Sequence, residues 1–171
     1  KVAKSNGVGI IKYIINTHSH ADHTGGNREL KEATGAQIVI HRDDAERLAN
    51  PPDFILQIFR CEASPPADKL VEEGEDITFG RHSLKVIHTP GHTAGGICLY
   101  MPGYVITGDT LFVGAVGRTD LPGGSTRTLL RSIQEKLLTL PEDTVVLPGH
   151  NYGHSPRSSI GQEKRFNPFL S

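Results

Sequence analysis

The chain has 171 residues, a formal net charge of -1 and a hydrophobic fraction of 36%. That length suffices for one compact domain, residues 1–171, but not for two. The balanced charge argues against a nucleic-acid partner. No apolar stretch approaches the ~18 residues that a membrane-spanning helix needs, which argues against association with a membrane.

The first elements alternate between helix and strand. Residues 1–4 fit the last turn of a helix, and residues 10–16 form a β-branched run typical of a strand buried on both faces. A helix is predicted over 27–34, where a glycine can cap its end, and a strand over 36–41. Residues 43–48 predict a short helix with acidic residues favourably placed at its start.

The middle of the chain changes to short strands. Residues 51–69 are interpreted as a connection or lid, because proline pairs interrupt the helical spacing of their apolar residues. Beyond them, β-rich runs separated by glycine and proline turns predict a meander. Its strands are expected at 76–79, 83–89, 97–101 and 104–107.

The last third returns to a helical pattern. A glycine-rich loop over 108–124 leads into a helix over 125–140, whose leucines and isoleucine form an apolar stripe that Pro141 ends. A final strand is predicted over 144–147. This mixture of strands and helices predicts a domain of the α/β class.

A dense cluster of candidate metal ligands follows the first strand. His18, His20, Asp22 and His23 lie within six residues, and imidazole and carboxylate are the usual ligands of zinc. Side chains alternate along a strand, so His18 and His20 should point the same way, with Asp22 and His23 in the following turn. One loop can therefore supply two metal ions.

Three further strands end in a single candidate ligand. His92 and His150 each follow a Pro-Gly pair, and Asp109 follows an apolar strand. If the four strands lie side by side, all of these residues meet at one edge of a sheet. A carboxylate has two oxygens, so Asp109 can ligate two ions.

The remaining histidines and cysteines predict local roles. His41 and His88 lie in strands and are expected to satisfy hydrogen bonds locally. Cys98 lies in an apolar strand and should be a buried, inert thiol. Since Cys61 and Cys98 form no CxxC pair, the sequence favours a reducing, cytoplasmic compartment.

The motifs THSHADH, PGHT, GDTLF and PGH resemble the metallo-β-lactamase superfamily and, within it, the short single-domain relatives of glyoxalase II, the hydroxyacylglutathione hydrolases. The resemblance implies a four-layer αββα sandwich whose N-terminal strands lie before residue 1. It also implies two metal ions, with zinc the first expectation and iron or manganese alternatives. The ligands would be His18, His20 and His92 for one ion and Asp22, His23 and His150 for the other, with Asp109 bridging.

The chemistry expected from this resemblance is hydrolysis of an anionic thioester by a metal-bridging hydroxide. Asp109 would fix the metal pair, and Asp22 would orient the nucleophile. Arg118 is the only cation of the loop over 114–124, so it either pairs with a substrate carboxylate or forms a salt bridge with Asp120. The oligomeric state stays open.

Other functions share parts of this pattern. A persulfide dioxygenase would hold one iron with His18, His92 and Asp109, and the sequence around Arg118, GRTD, resembles that branch. β-Lactamase activity is disfavoured by Asp109, and RNA processing by the absence of a basic patch. A non-catalytic metal-binding domain is the alternative of another class, although structural zinc sites are usually rich in cysteine.

Overall fold

Two β-sheets face each other in the computed structural model, which describes residues 9–170. The helical turn predicted over 1–4 lies outside the described residues. The smaller sheet has three parallel strands in the order β1-β2-β3. They are β1 (Tyr13–Ile15), β2 (Gln37–His41) and β3 (Lys69–Val71).

The larger sheet has six strands of mixed direction. Its members are β4 (Asp76–Phe79), β5 (His82–His88), β6 (Ile97–Met101), β7 (Tyr104–Gly108), β10 (Val145–Pro148) and β11 (Ser158–Ser159). The spatial order is β11-β10-β7-β6-β5-β4. A separate small hairpin joins β8 (Leu111–Phe112) to β9 (Ala115–Val116).

Short helices connect and cover the strands. They are α1 (Ala21–Thr24), α2 (Asn27–Thr34), α3 (Ala45–Ala49), α4 (Asp53–Phe59), α5 (Thr126–Ser132) and α6 (Ile160–Phe166). A 3₁₀ turn, Arg42–Asp44, precedes α3, and a π-helical segment, Ile133–Leu137, continues α5. No helix within residues 9–170 is long and apolar enough to cross a membrane.

The two sheets bury apolar residues on both faces, which gives four layers. Val39 and Val86 pack between the sheets, whereas Ile38 and Ile87, next to them in sequence, point to the opposite faces. Alternation along a strand explains this separation. The outer face of the large sheet packs on α5 through Leu129, and the outer face of the small sheet packs on α3. The αββα sandwich is therefore confirmed.

Several elements differ from the sequence prediction. Residues 51–69 contain the helix α4, which exposes Phe54, Ile58 and Phe59. The strand β3, which begins at Lys69, was not predicted from the sequence. The helix predicted over 125–140 is α-helical only to Ser132 and then widens into the π segment. The C-terminal helix α6, closed by a Ser159 and Gln162 capping box, was also not predicted.

The edge that carries the polar strand ends is formed by both sheets. β10 runs parallel to β7, and β5 and β7 both run antiparallel to β6, so β5, β7 and β10 end at the same edge. The four strands do not all lie side by side, because β1 belongs to the facing sheet. Its end reaches this edge through the Thr17 carbonyl, which accepts a 2.8 Å hydrogen bond from the amide of Ile97.

Candidate metal centre

The loop after β1 delivers four side chains to this edge. His18 and His20 lie on the extended segment that leaves β1, with His20 as the extended residue that precedes α1. The chain then turns into the four-residue helix α1, which carries Asp22 and His23. The change from extended to helical backbone therefore points the two pairs at neighbouring positions, as the sequence spacing predicts.

The first group of converging side chains is His18, His20 and His92, with one ligand atom of each within 4.8 Å of the others. The Nδ1 of His20 lies 2.9 Å from the Nε2 of His92. Because the other nitrogen of His92 lies 2.7 Å from the Arg118 carbonyl, which can only accept, that nitrogen carries the proton. The His92 lone pair therefore points at His20.

The second group is Asp22, His23 and His150, whose ligand atoms also lie within 4.8 Å of one another. The Nε2 atoms of His23 and His150 are 3.1 Å apart. The Oδ2 of Asp22 is 3.3 Å from the Nε2 of His150. This group is more open than the first, since the His150 side chain is 29% exposed and that of His92 is 4% exposed.

Asp109 lies between the two groups, directly after β7. Its carboxylate oxygens are 3.3 Å from the Nε2 of His23, 3.4 Å from that of His150 and 3.7 Å from that of His92. Gly149 packs against this carboxylate, since a Cβ there would lie 2.5 Å from the Asp109 Oδ1. Asp109 can therefore reach both groups at once.

The donor set suits divalent metal ions. The buried Nε2 of His18 and Oδ1 of Asp109 have no hydrogen-bond partner, and buried polar atoms are rarely left so. Both atoms face the nitrogens of the other candidate ligands. Nitrogen and carboxylate oxygen without thiolate is the ligand combination of catalytic zinc and iron sites. The arrangement thus fits a metal centre.

The electrostatics keep the first group ready to bind a cation. Burial, and then the neighbouring histidines, lower the pKa of His18 well below its usual value and that of His20 to about 4. Both rings are consequently neutral at pH 7, with free lone pairs. Burial also opposes the charge on His23, but the Asp109 carboxylate, 3.3 Å from the His23 Nε2, outweighs this and raises the pKa of His23.

A further group outside this centre has a local role. His41, Asp43 and His88 have ligand atoms close together, but the two rings stack with centroids 3.9 Å apart and an angle of 16°. No single ion can lie in both nearly parallel ring planes, as lone-pair coordination requires. Instead His41 accepts from the Asp43 amide, and His88 donates to the Ala94 carbonyl. Local hydrogen bonding, as predicted, explains this pair.

Arg118 lies beside the centre and contributes through two different atoms. Its guanidinium makes a two-point salt bridge with Asp120, at 2.8 and 2.7 Å, as one of the two sequence interpretations expects. Its carbonyl oxygen holds His92, a role that sequence reasoning missed. The side chain is 61% exposed, so the ion pair can open toward a ligand.

Two other residues at the centre were not singled out by the sequence. The Tyr152 ring is 69% exposed and stacks on His150, with centroids 5.1 Å apart, and against the edge of Phe112. Its position two residues after a candidate ligand was the only sequence signal. The second of these residues is Asp44, which is buried behind the first group. The groups that donate hydrogen bonds to its carboxylate lie far from it in the sequence, so no local pattern indicated its role.

The chain belongs to the metallo-beta-lactamase superfamily, whose family model matches residues 7–150. This places the αββα sandwich and its His- and Asp-rich edge within a class of metal-binding hydrolases. The glyoxalase II-like resemblance is supported by the relatives that follow.

Three curated relatives illustrate the range of the family. The chain is 40% identical to the "Probable metallo-hydrolase YqgX" of Bacillus subtilis, over 92% of this chain and 75% of the relative. It is 36% identical to the "Hydroxyacylglutathione hydrolase GloC" of Haemophilus influenzae, over 94% and 76%. It is 34% identical to the human "Persulfide dioxygenase ETHE1, mitochondrial", over 93% of this chain and 56% of that one.

Solved structures give the same fold. A structure of the BLEG-1 B3 metallo-beta-lactamase superposes with a TM-score of 0.87 at 33% identity, over 98% of this chain and 80% of that one. TTHA1623, solved in a di-iron-bound form, superposes with a TM-score of 0.85 at 35% identity, over 99% and 82%.

Proposed function

We propose that this chain is a metal-dependent thioester hydrolase of the hydroxyacylglutathione hydrolase type. The observation that carries the proposal is the convergence of two three-residue groups on one carboxylate, Asp109. We assign two ions, zinc first and iron or manganese as alternatives, to this centre. The ligands of the first ion would be His18, His20 and His92, those of the second Asp22, His23 and His150, and Asp109 would bridge them.

Divalent ions bound there would supply hydroxide at neutral pH and polarise the substrate carbonyl. The protein's own part is to keep the His18 and His20 rings neutral and the Asp109 carboxylate ionised, so that their lone pairs are free to bind a cation. Asp109 is kept ionised, because burial is outweighed by the His23 ring, 3.3 Å away, and by His150 and His92, which lower the pKa of Asp109. Asp22, half exposed at the opening, is the residue we assign to orient the attacking group.

The opening of the centre offers two groups for an acyl thioester. Tyr152 presents an exposed aromatic face next to His150. Arg118, whose backbone carbonyl contacts His92, presents an exposed guanidinium. An anionic thioester can place its carboxylate near Arg118 when the Asp120 ion pair opens, with its carbon chain on the tyrosine ring. The hydroxyacylglutathione hydrolase activity named for the Haemophilus influenzae relative supports a glutathione thioester.

A persulfide dioxygenase is the second candidate. Two observations favour it: the human relative that carries this name is 34% identical, and Arg118 lies in the GRTD sequence of that branch. In this case one iron ion would be held by His18, His92 and Asp109. Asp22, His23 and His150 would then have no metal to bind, although they converge as closely as the first group.

A parallel assay separates the candidates. The purified chain, loaded with zinc or with iron(II), is given S-lactoylglutathione, glutathione persulfide or a β-lactam, and thiol release, oxygen uptake and ring opening are followed. Thiol release from the thioester without oxygen uptake is expected. Iron-dependent oxygen uptake without hydrolysis would establish the dioxygenase instead, and ring opening alone would identify a β-lactamase. Metal binding with none of these reactions would favour a non-catalytic domain.

A further inference from the structure

Asp44 is a buried carboxylate whose two oxygens receive three hydrogen bonds. Its Oδ2 accepts from the amide of Ser19 at 2.9 Å and from the hydroxyl of Thr93 at 2.8 Å. Its Oδ1 accepts from the amide of Gly95 at 2.8 Å. The side chain lies at the end of the 3₁₀ turn before α3 and is 2% exposed.

The three donors belong to the two loops that carry the first group of candidate ligands. Ser19 lies between His18 and His20, and Thr93 follows His92 directly. The Asp44 carboxylate thus connects the two loops through one rigid group. None of the other described acidic side chains hydrogen-bonds to both loops.

The packing around this carboxylate is built for it. A Cβ on Gly95 would lie 2.6 Å from the amide nitrogen of Asp44 and 2.8 Å from its Cβ, so only glycine allows the approach. A carboxylate is also the one short side chain that offers acceptors alone. An asparagine would point an amide N–H₂ either at the Ser19 and Thr93 donors or at the Gly95 amide, which leaves a buried donor without an acceptor.

We propose that Asp44 is a positioning residue that fixes the separation of the His18–His20 loop from the His92 loop and thereby sets the metal affinity of the first position. This inference rests on the ligands assigned in the proposed function. It predicts that loss of the carboxylate lowers the metal affinity of the first position. The affinity of the second position, formed by Asp22, His23 and His150, should stay unchanged.

The test measures metal binding rather than turnover. Zinc is titrated into the metal-free chain in competition with a chromophoric chelator, for the unsubstituted protein and for Asp44→Asn. The substitution keeps the size and shape of the side chain. The zinc affinity of the first position should fall by about 10- to 100-fold, which is the usual cost of losing an outer partner of a metal ligand. The second equivalent should keep its affinity.

A matched control separates positioning from general stability. Glu163 is also a buried carboxylate, and it accepts from the Gly114 amide at 2.9 Å and from the Asn167 side chain at 2.8 Å. Glu163→Gln should lower the melting temperature as Asp44→Asn does, but leave both metal affinities unchanged. Equal loss of the first equivalent in both variants would overturn the inference.

A milder variant keeps the test decisive if Asp44→Asn does not fold. Thr93→Val removes only the hydroxyl donor, so the first equivalent should weaken by about 2- to 10-fold. Unchanged affinity in a folded variant would reject a positioning role. An unsubstituted chain that binds no zinc would overturn both this inference and the proposed function, whereas a chain that binds two ions without hydrolysing thioesters would leave the inference standing.

Discussion

The two Pro-Gly-His turns have the same three residues and different surroundings. In the first, Gly91 has a φ of +135° and packs against the backbone of Leu129 in α5, while His92 is buried and bonded to the Arg118 carbonyl. In the second, Gly149 packs against the side chains of Asp109 and His23, and the His150 ring is partly exposed beside Tyr152. One turn is held by backbone, the other by the candidate ligands themselves.

This difference indicates that the two positions of the centre are held with different rigidity. The position that includes His92 is fixed by α5, by the Arg118 carbonyl and by Asp44 before any metal binds. The position that includes His150 has fewer constraints and is more exposed to solvent. We therefore expect the first to bind metal more tightly and the second to adapt during the reaction.

Asp109 belongs to both positions, so its loss should have the largest effect. Asp109→Ala removes the one carboxylate that reaches both groups, and turnover of a thioester should fall by about 100-fold or more, since even an outer partner is worth about 10- to 100-fold. The measurements are kcat and bound metal per chain. Asp143→Ala, an exposed residue away from the centre, is the control, and unchanged turnover in Asp109→Ala would remove the bridging role.

The glycines of the two turns offer a direct comparison of stability. In Gly91→Ala the new Cβ would lie 2.3 Å from the Leu129 nitrogen, at a positive φ. Because backbone must move, the free energy of unfolding should fall by about 2–4 kcal/mol. In Gly149→Ala the Cβ would lie 2.5 Å from the Asp109 Oδ1, and side chains can shift.

Urea denaturation and metal titration of both variants check this expectation. Gly149→Ala should lose less stability than Gly91→Ala but bind metal more weakly at the second position. A Gly149→Ala protein that unfolds more readily than Gly91→Ala would contradict the distinction between a backbone-held and a ligand-held turn.

Acid should remove the two metal ions in a defined order. Protons compete with metal for imidazole, and the pKa of His20 is lowered to about 4 while that of His23 is raised above 6.5. As the pH falls from 7, His23 therefore takes up a proton first, and His20 stays neutral until the pH approaches its lowered pKa. Dialysis at stepped pH should release the second ion before the first. Simultaneous release would show that the two positions are not distinct.

The smallest effect is expected at the opening. Arg118→Ala leaves the carbonyl that holds His92 in place but removes the guanidinium, so KM for an anionic thioester should rise several-fold while kcat changes little. Asp120→Ala is the matched variant, because it frees Arg118 from its salt bridge and should lower KM or leave it unchanged. An unaltered KM in Arg118→Ala would assign the side chain to the salt bridge alone.

The sequence determined the class of fold and the composition of the centre. β-Branched runs and glycine turns identified most strands, and the successive apolar residues Ile38 and Val39 place apolar side chains on both faces of β2. The candidate ligands His18, His20, Asp22 and His23 lie within six residues, so the local geometry of a strand end and the following turn is enough to predict where they point. Such patterns depend on neighbours in the chain, which a single sequence records directly.

Only the tertiary structure decided how these parts meet. It placed β1 in a sheet separate from β5, β7 and β10, gave the two Pro-Gly-His turns different neighbours, and brought Asp44 to Ser19 and Gly95, 25 and 51 positions away. It also exposed the apolar side of α4 and set the Tyr152 ring on His150. These outcomes depend on side-chain packing between distant segments, whose partners no local pattern specifies, so the chain's own periodicity could not predict them.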